Sequence, residues 1–339
     1  MLTMMTKVRD RAILPMLSGL GILLPIIGGC GSSDTPRVEW SESFDASQIG
    51  WFMNVWGPAE NDLYAVGGSP TEGVIMHFDG ADWTPFDIGL DVPLVTWIHG
   101  FGSDDMTAVG FAGTAMHWDG TSWTLQDTPT DEDLWGVWGS APDDLWAVGG
   151  SGRADSVATL LHYDGATWTS VEVPPLQRAN VFAFFKVFGT SADNAYVVGQ
   201  RGAVLHFDGE TWSEELVGAS DDLVSIWGTG PDNLVAVGGR ANGIISIWNG
   251  SEWTTESLAP IPGLNGIWMQ EPGVVHTVGT FGTLLEIQLD GLVVTESSLA
   301  TALDFHAVFS ATGETLVAVG GNLTIPGATF EGIAFQRGL

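Results

Sequence analysis

The sequence predicts an all-β protein, a seven-bladed β-propeller of four-stranded antiparallel blades that occupies residues 38–339. A glycine that follows an Ala-Val or similar pair recurs at intervals of 39 to 50 residues, and one four-stranded blade has about this length. Asp-Gly or Asn-Gly pairs recur between these glycines and are typical of two-residue hairpins. The recurring glycines are Gly67, Gly110, Gly149, Gly199, Gly238, Gly279 and Gly320.

Residues 1–29 have the layout of a secretory signal peptide. Lys7, Arg9 and Arg11 precede an apolar run over residues 12–27, and this run is shorter than the about 20 residues that a membrane-spanning helix requires. Small residues then lead to Cys30, the only cysteine of the chain. An intramolecular disulfide is therefore excluded.

The segment 27–30, Ile-Gly-Gly-Cys, resembles the lipobox of bacterial lipoproteins. The resemblance implies cleavage before Cys30, diacylation of its sulfur, and attachment to a bilayer through the acyl chains. Residues 30–37 are then the lipidated cysteine and a short flexible tether. Gly31 after the cysteine resembles the outer-membrane sorting pattern of Gram-negative lipoproteins. We expect a cell-envelope protein, lipid-anchored at the outer membrane and facing the periplasm or the surface; the alternative is an uncleaved N-terminal anchor.

The charge is strongly acidic, with 41 acidic against 10 basic residues and a net charge of −31. Nucleic acid is excluded as a partner, since binding its phosphates requires basic charge. An anionic membrane surface would also repel the chain, so the lipid is the only predicted membrane contact. We expect solubility, colloidal repulsion and a monomer. The alternative is cation binding, and calcium is the one cofactor left open.

Each repeat unit predicts four short strands, called a to d. In the first unit, strand a ends at Trp56-Gly57, strands b and c cover residues 63–67 and 74–78, and strand d surrounds Trp83. Strands b and c are almost continuously apolar, which is typical of sheets that are covered on both faces. Asp79-Gly80 predicts the c–d hairpin.

The last unit lacks a strand d, and the start of the propeller supplies a candidate. Strand c of this unit is predicted near residues 330–336, and the chain then stops without a hairpin or a tryptophan. Val38-Glu39-Trp40-Ser41 is similar to a strand d without its blade, and Trp40 precedes Gly57 by the same 17 residues that separate Trp83 from Gly100. We predict that this N-terminal strand pairs with the last strand c, which removes two exposed sheet edges.

The repeat resembles several known blade types. An apolar-Gly-Gly strand followed by an aromatic-Asp turn resembles kelch blades, although the turn in this sequence is tighter. The pattern Asp-Gly-x-x-Trp is similar to the Asp-box of sialidase-like repeats, although the Asp-box has one residue between Asp and Gly. The closest similarity is to bacterial propeller lipoproteins whose units read Trp-Gly-x-x-Pro-Asp-Asp-Leu-x-Ala-Val-Gly, a pattern that residues 138–149 match throughout. The resemblance implies the fold and no single activity.

Repeated histidines and tryptophans are predicted to be structural. The histidines lie on strand c, each two residues before an aspartate, and equivalent positions around a ring diverge, so we expect hydrogen bonds within or between blades and no metal. The tryptophans of strands d and a are predicted to pack between blades, and Trp51, Trp97 and Trp135 to line the central opening. The histidines are His77, His117, His162 and His206. The strand-d tryptophans are Trp40, Trp83, Trp123, Trp168, Trp212 and Trp253, and those of strand a are Trp56, Trp138, Trp227 and Trp268.

The candidate binding site is a group of arginines. Five of the seven basic residues after residue 29, Lys186 among them, belong to blades 3 to 5. Arg153, Arg201 and Arg240 fall in b–c loops and Arg178 in a d–a loop, and both loop types emerge on the same face of a meander. We predict a site for an acidic group, because arginine binds carboxylates bidentately. The alternative is that the arginines only balance nearby surface carboxylates.

An enzyme is not expected. The chain has no serine-nucleophile motif, phosphate loop or zinc-ligand spacing, although paired carboxylates for glycoside cleavage remain open among the acidic loops. We expect a non-catalytic, envelope-anchored recognition or scaffold propeller that binds a protein or glycan ligand on its loop face or central opening. The alternatives are an outer-membrane or periplasmic assembly factor, and a glycan hydrolase or lyase.

Overall fold

Seven sheets, each of four antiparallel strands, form the described part of the chain. The structure, a computed structural model, describes residues 39–151, 155–323 and 329–338. The chain divides into two units, Met1–Arg37 and Val38–Leu339, and the predicted signal peptide and the Cys30 tether lie outside the described residues. The predicted seven-bladed propeller is confirmed. Within the described ranges, no helix has the length and apolarity needed to cross a bilayer.

The first six blades use consecutive strands in the order a, b, c and d. Blade 1 contains β2 (Trp51–Ala59), β3 (Asp62–Ser69), β4 (Glu72–Phe78) and β5 (Trp83–Pro85). Blade 2 contains β6 (Val95–Gly102), β7 (Asp105–Gly110), β8 (Ala115–Trp118) and β9 (Trp123–Gln126). Blade 3 contains β10 (Leu134–Ala141), β11 (Asp144–Gly149), β12 (Thr159–Tyr163) and β13 (Trp168–Ser170).

The next three blades repeat this order with three short 3-10 turns. Blade 4 contains β14 (Phe184–Ser191), β15 (Asn194–Gly199), β16 (Val204–Phe207) and β17 (Trp212–Glu215). Blade 5 contains β18 (Leu223–Gly230), β19 (Asn233–Gly238), β20 (Ile244–Trp248) and β21 (Trp253–Ser257). Blade 6 contains β22 (Leu264–Trp268), β23 (Val274–Gly279), β24 (Thr283–Gln288) and β25 (Val293–Leu299). The 3-10 turns are Gln200–Gly202, Thr280–Gly282 and Asp290–Leu292.

Blade 7 joins the two ends of the propeller. Its strands are β26 (Asp304–Phe309), β27 (Thr315–Gly321), β28 (Gly332–Gly338) and, as strand d, the N-terminal β1 (Ser41–Glu42). Ser41 lies opposite Gln336 in this antiparallel pair. The predicted closure is therefore confirmed. The strand begins one residue after Trp40, and the last strand c runs to Gly338 instead of ending at 336.

The recurring glycines lie at or near the end of strand b, where its backbone comes close to the start of strand a. A Cβ atom on Gly149 would lie 2.2 Å from the carbonyl oxygen of Asp133. The same clash, at 1.9 to 2.7 Å, would occur at every one of the recurring glycines named above. No real Cβ tolerates such distances, so the repeat glycine is required by the close approach of two backbones.

The core consists of apolar layers between neighbouring blades. Val66 and Ile75 of blade 1, for example, pack with Ile98 and Met106 of blade 2, and all four side chains are buried. Burial of each such side chain contributes about 1.5–3 kcal/mol. This packing holds the start of every strand a rigidly around the central axis, where the candidate site lies.

Candidate functional site

The repeated histidines bond inside their own blades. In each case Nε2 of the strand-c imidazole lies within hydrogen-bond distance of the Asp or Asn that begins strand b. The pairs are His77–Asp62 (2.7 Å), His117–Asp105 (3.0 Å), His162–Asp144 (2.8 Å) and His206–Asn194 (2.7 Å). Sequence reasoning had not identified these partners. Among the described residues, no group of three His, Cys, Asp or Glu side chains has the arrangement to hold a metal ion.

The strand-d tryptophans lie between neighbouring blades. Trp168 Nε1 donates to Gln126 Oε1 on strand d of the preceding blade (2.8 Å), and Trp253 Nε1 donates to Glu215 Oε2 in the same way (2.5 Å). Trp83 donates to Ser43 Oγ beside β1 (2.9 Å). The indoles of Trp123 and Trp212 are buried as well, with no hydrogen-bond partner for the ring nitrogen among the described residues. Trp40 is half-buried against the core next to blade 7.

The strands a line a central channel, and a β-bulge near the start of each strand sets which side chains face it. In blade 4 the bulge lies between Phe184 and Lys186. Phe184 and Val187 consequently both pack in a core layer between blades, and Lys186, Val187 and Phe188 line a channel cavity of about 110 Å³. All seven strands a carry a register shift at this place. Such bulges redirect side chains.

Besides Trp97, six aromatic side chains line the channel cavity. We call these six residues the aromatic belt; its members are Trp56, His99, Trp138, Phe188, Trp227 and Phe309. Successive members approach with ring centroids 5.2 to 6.5 Å apart. The equivalent Trp268 instead packs against His276. Trp56, Trp138 and Trp227 thus line the channel, a role that the sequence reasoning had reserved for less regular tryptophans.

Lys186 is the one lysine of the described chain and lies inside the channel. Its side chain is 4% exposed, and Nζ is 3.8 Å from the centre of the Trp97 ring and 5.6 Å from that of Trp227. Burial lowers the pKa of Lys186 to about 7. Burial also lowers the pKa of nearby His99 to about 4, opposed by its hydrogen bond to the Gly139 carbonyl (3.2 Å) and reinforced by the Lys186 charge.

Sequence reasoning counted Lys186 among the basic residues and assigned it no role. The available signal was its position in the segment Phe184-Phe185-Lys186-Val187-Phe188, where it is the only polar residue. An ammonium group in such a segment is uncommon unless it has a partner.

A second cavity, the mouth cavity, opens on the face of the b–c loops. It measures about 410 Å³ and is lined from the start of strand a in all seven blades. Trp97, Trp135 and Phe185 supply aromatic walls and Arg240 a guanidinium. Trp135 is held by a hydrogen bond from Nε1 to the Gly150 carbonyl (2.7 Å). Of the three tryptophans predicted at the opening, Trp97 and Trp135 lie there, whereas Trp51 is buried and donates to Asn322 (2.7 Å).

The described arginines of the predicted site meet in one sector of this face. The Arg178 guanidinium donates to the Arg201 carbonyl (2.8 Å), and the Arg201 backbone N–H donates to Asp222 (2.8 Å). Arg240 Nε forms an ion pair with the other oxygen of Asp222 (2.7 Å). Only Arg240 lines the mouth cavity, with its guanidinium 5.4 Å from the Phe185 ring centre. Arg153 lies outside the described residues.

Comparisons with known proteins identify the fold. No known family profile matches the chain, and no curated protein matches it by sequence. Among solved structures it is similar to YCF48 bound to D1 peptide, at a TM-score of 0.63 and 15% identity over 90% of this chain and 98% of that one. It is also similar to YCF48 from Cyanidioschyzon merolae, at a TM-score of 0.64 and 11% identity over 88% and 98% of the two chains. What they share is the propeller.

Proposed function

We propose that this protein is a non-catalytic binding propeller that takes a peptide segment of a partner protein at the mouth cavity. The observation that carries the proposal is the lining of that cavity, which combines the aromatic side chains of Trp97, Trp135 and Phe185 with the Arg240 guanidinium. Tryptophan and arginine contribute most of the binding energy at many protein interfaces.

The mouth cavity has the properties of a preformed site. Its walls come from the starts of rigid strands, so little conformational entropy is lost when a ligand binds. A volume of about 410 Å³ accommodates a few side chains of an extended segment. A similar propeller, YCF48, has been solved with a D1 peptide, which supports a peptide as the class of ligand.

The test compares peptide binding by variants of the mouth. Peptides selected from a displayed random library on the full chain are measured by fluorescence anisotropy. Trp135→Ala and Arg240→Ala are expected to weaken binding about tenfold or more, because each removes a central contact. A control, Leu125→Ala at an exposed position on an outer strand, is expected to bind as the parent does.

Two results would contradict peptide binding at the mouth, and a third would contradict the non-catalytic role. One is peptide binding that is equal in all of these variants. The other is a library that yields no binder while a glycan array does, which would move the ligand to the carbohydrate class. Cleavage of a bound peptide or glycan would contradict the non-catalytic role.

Attachment to the cell envelope is a separate part of the proposal and is supported by residues 1–37 alone. Cys30 is proposed to carry the lipid, with the propeller held as a monomer at the outer membrane. A labelled fatty acid is expected to enter the parent protein and not the Cys30→Ser variant. Label in both would rule out Cys30 as the anchor.

A further inference from the structure

Lys186 presents a buried amine to the channel cavity. Its Nζ contacts the faces of Trp97 and Trp227. Among the described residues, none forms an ion pair with it or accepts a hydrogen bond from it. Asn54 Oδ1 accepts from the Ile98 N–H (3.2 Å), and His99 bonds to Gly139. The Ser225 hydroxyl also lines the cavity but does not bond to Lys186.

This arrangement is costly for the protein alone. An ammonium group has three donors, and burying it without acceptors is unfavourable. The two indole faces offset part of that cost through cation–π attraction, but they provide no directional acceptor. The channel cavity of about 110 Å³ lies against Lys186 and has room for a small group.

We propose that the channel cavity is a carboxylate subsite, in which the Lys186 ammonium donates to a carboxylate and the faces of Trp97 and Trp227 enclose the pair. A single carboxylate balances the one positive charge. A phosphate dianion would leave excess negative charge in an apolar enclosure, which is unfavourable. The subsite therefore selects monovalent carboxylates.

The carboxylate has two possible sources. It is either the C-terminus or an acidic side chain of a peptide at the mouth, or a free small acid. Trp97 lines both cavities, so the two sites are adjacent. The peptide source rests on the proposed function, and the free-acid source does not.

Binding is expected to depend on pH. Besides Lys186, the titratable or charged groups that line the two cavities are His99 in the channel cavity and Arg240 and His306 in the mouth cavity. A bound carboxylate favours the charged form of Lys186 and raises its pKa from about 7. Affinity for the carboxylate is therefore highest where Lys186 of the free protein is protonated, and it falls as the pH rises above the pKa of about 7.

The chain allows this to be measured directly, because its only lysines are Lys7 and Lys186. Full chain labelled with ¹⁵N at lysine Nζ gives two signals, and a Lys7→Arg variant assigns them. Acetate is titrated against chloride at constant ionic strength. We expect acetate to raise the Lys186 pKa by about one and to change tryptophan fluorescence with a Kd on the order of 1 mM. An unchanged Lys186 titration overturns the proposal.

Variants provide a second line of evidence. Lys186→Met is expected to abolish the fluorescence response to acetate, whereas Leu125→Ala, which changes an exposed side chain on an outer strand, is expected to keep it. An equal response in Lys186→Met would overturn the proposal. The Nζ titration needs no variant at Lys186, so it decides the matter even where Lys186→Met does not fold.

Peptides that bind the mouth distinguish the two sources and the two proposals. Each peptide is also made with a C-terminal amide or with Asn in place of Asp. If this change weakens binding to the parent protein about tenfold but does not weaken binding to Lys186→Met, the carboxylate comes from the peptide. A response to acetate without any peptide binding supports the carboxylate subsite and contradicts the proposed function. If peptide binding depends on Trp135 but not on Lys186, and acetate gives no response, the proposed function is supported and the carboxylate subsite is contradicted.

Discussion

At the scale of single residues, the histidine pairs hold three strands of a blade together. In blade 3 the Asp144 carboxylate accepts from Ser140 at the end of strand a (2.5 Å) and lies 2.8 Å from His162 on strand c. The imidazole also packs on Trp146 of strand b, with centroids 4.4 Å apart. In blade 4, Asn194 Oδ1 lies 2.7 Å from His206 in the same way, while its Nδ2 donates to the Thr190 hydroxyl (2.7 Å). The required property is therefore an oxygen acceptor at this place.

A pair of substitutions at Asp144 checks this interpretation. Asp144→Asn reproduces the blade 4 arrangement and is expected to change the free energy of unfolding by less than about 0.5 kcal/mol. Asp144→Ala leaves the half-buried His162 and Ser140 without their partner and is expected to lose about 1–3 kcal/mol. Urea unfolding of both proteins measures the difference. Equal stabilities would show that the acceptor is unimportant.

At the scale of elements, each strand b depends on the recurring glycine at or near its end. Strand b is buried along nearly its whole length, as in Leu145 to Gly149. A side chain at the glycine would push strand b away from the start of strand a, which is also the segment that lines the channel. The recurring glycine therefore stabilises both the pairing of strands a and b and the position of the channel wall.

Substitution of two glycines shows whether the repeat glycine is needed for the close approach of strands a and b or for the flexibility of the backbone. Gly149→Ala is expected to cost about 1–3 kcal/mol of folding free energy, or more, because its Cβ meets a carbonyl oxygen. Gly230→Ala, at a position where no atom lies within 4 Å of the added Cβ, is expected to change stability by less than about 0.5 kcal/mol. Thermal and urea unfolding measure both. The interpretation fails if the two variants are equally stable.

At the scale of the whole molecule, the N-terminal segment connects the last blade to the first. Ser43 donates from its backbone to Ala334 (2.8 Å) and from its hydroxyl to Gln336 (3.0 Å), both in blade 7. Phe44 packs on Phe52 and Trp83 of blade 1 at centroid distances of 5.3 and 5.0 Å. Closure therefore combines strand pairing with an aromatic contact across the junction.

Removal of this segment tests how much the ring depends on it. Deletion of residues 38–44 exposes the edge of β28 and the aromatic face of blade 1, so we expect a lower Tm and aggregation. Size-exclusion chromatography and thermal unfolding give the result. Deletion of residues 31–37, the predicted tether, serves as the control and is expected to leave both unchanged. A soluble and equally stable monomer after the first deletion would contradict the closing role of β1.

Part of this organisation could be predicted from the sequence because it is local. Each blade pairs strands that follow one another along the chain, so the glycines, Asp-Gly turns and strand-d tryptophans appear at regular intervals. The distance from Trp40 to Gly57 likewise predicted the partner of the N-terminal strand. In these cases the pattern of the repeat determines the contact.

The site depended on contacts that the repeat does not encode. Lys186, Trp97 and Trp227 come from three different blades and meet only at the axis, and a bulge decides that Lys186 faces the channel. The Arg240 guanidinium, predicted to be available to a ligand, forms an ion pair with Asp222. The sequence by itself determined the propeller, its seven blades and its closure, since these follow from neighbours in the chain. Only the tertiary structure decided what lines the channel, because side chains distant in sequence converge there.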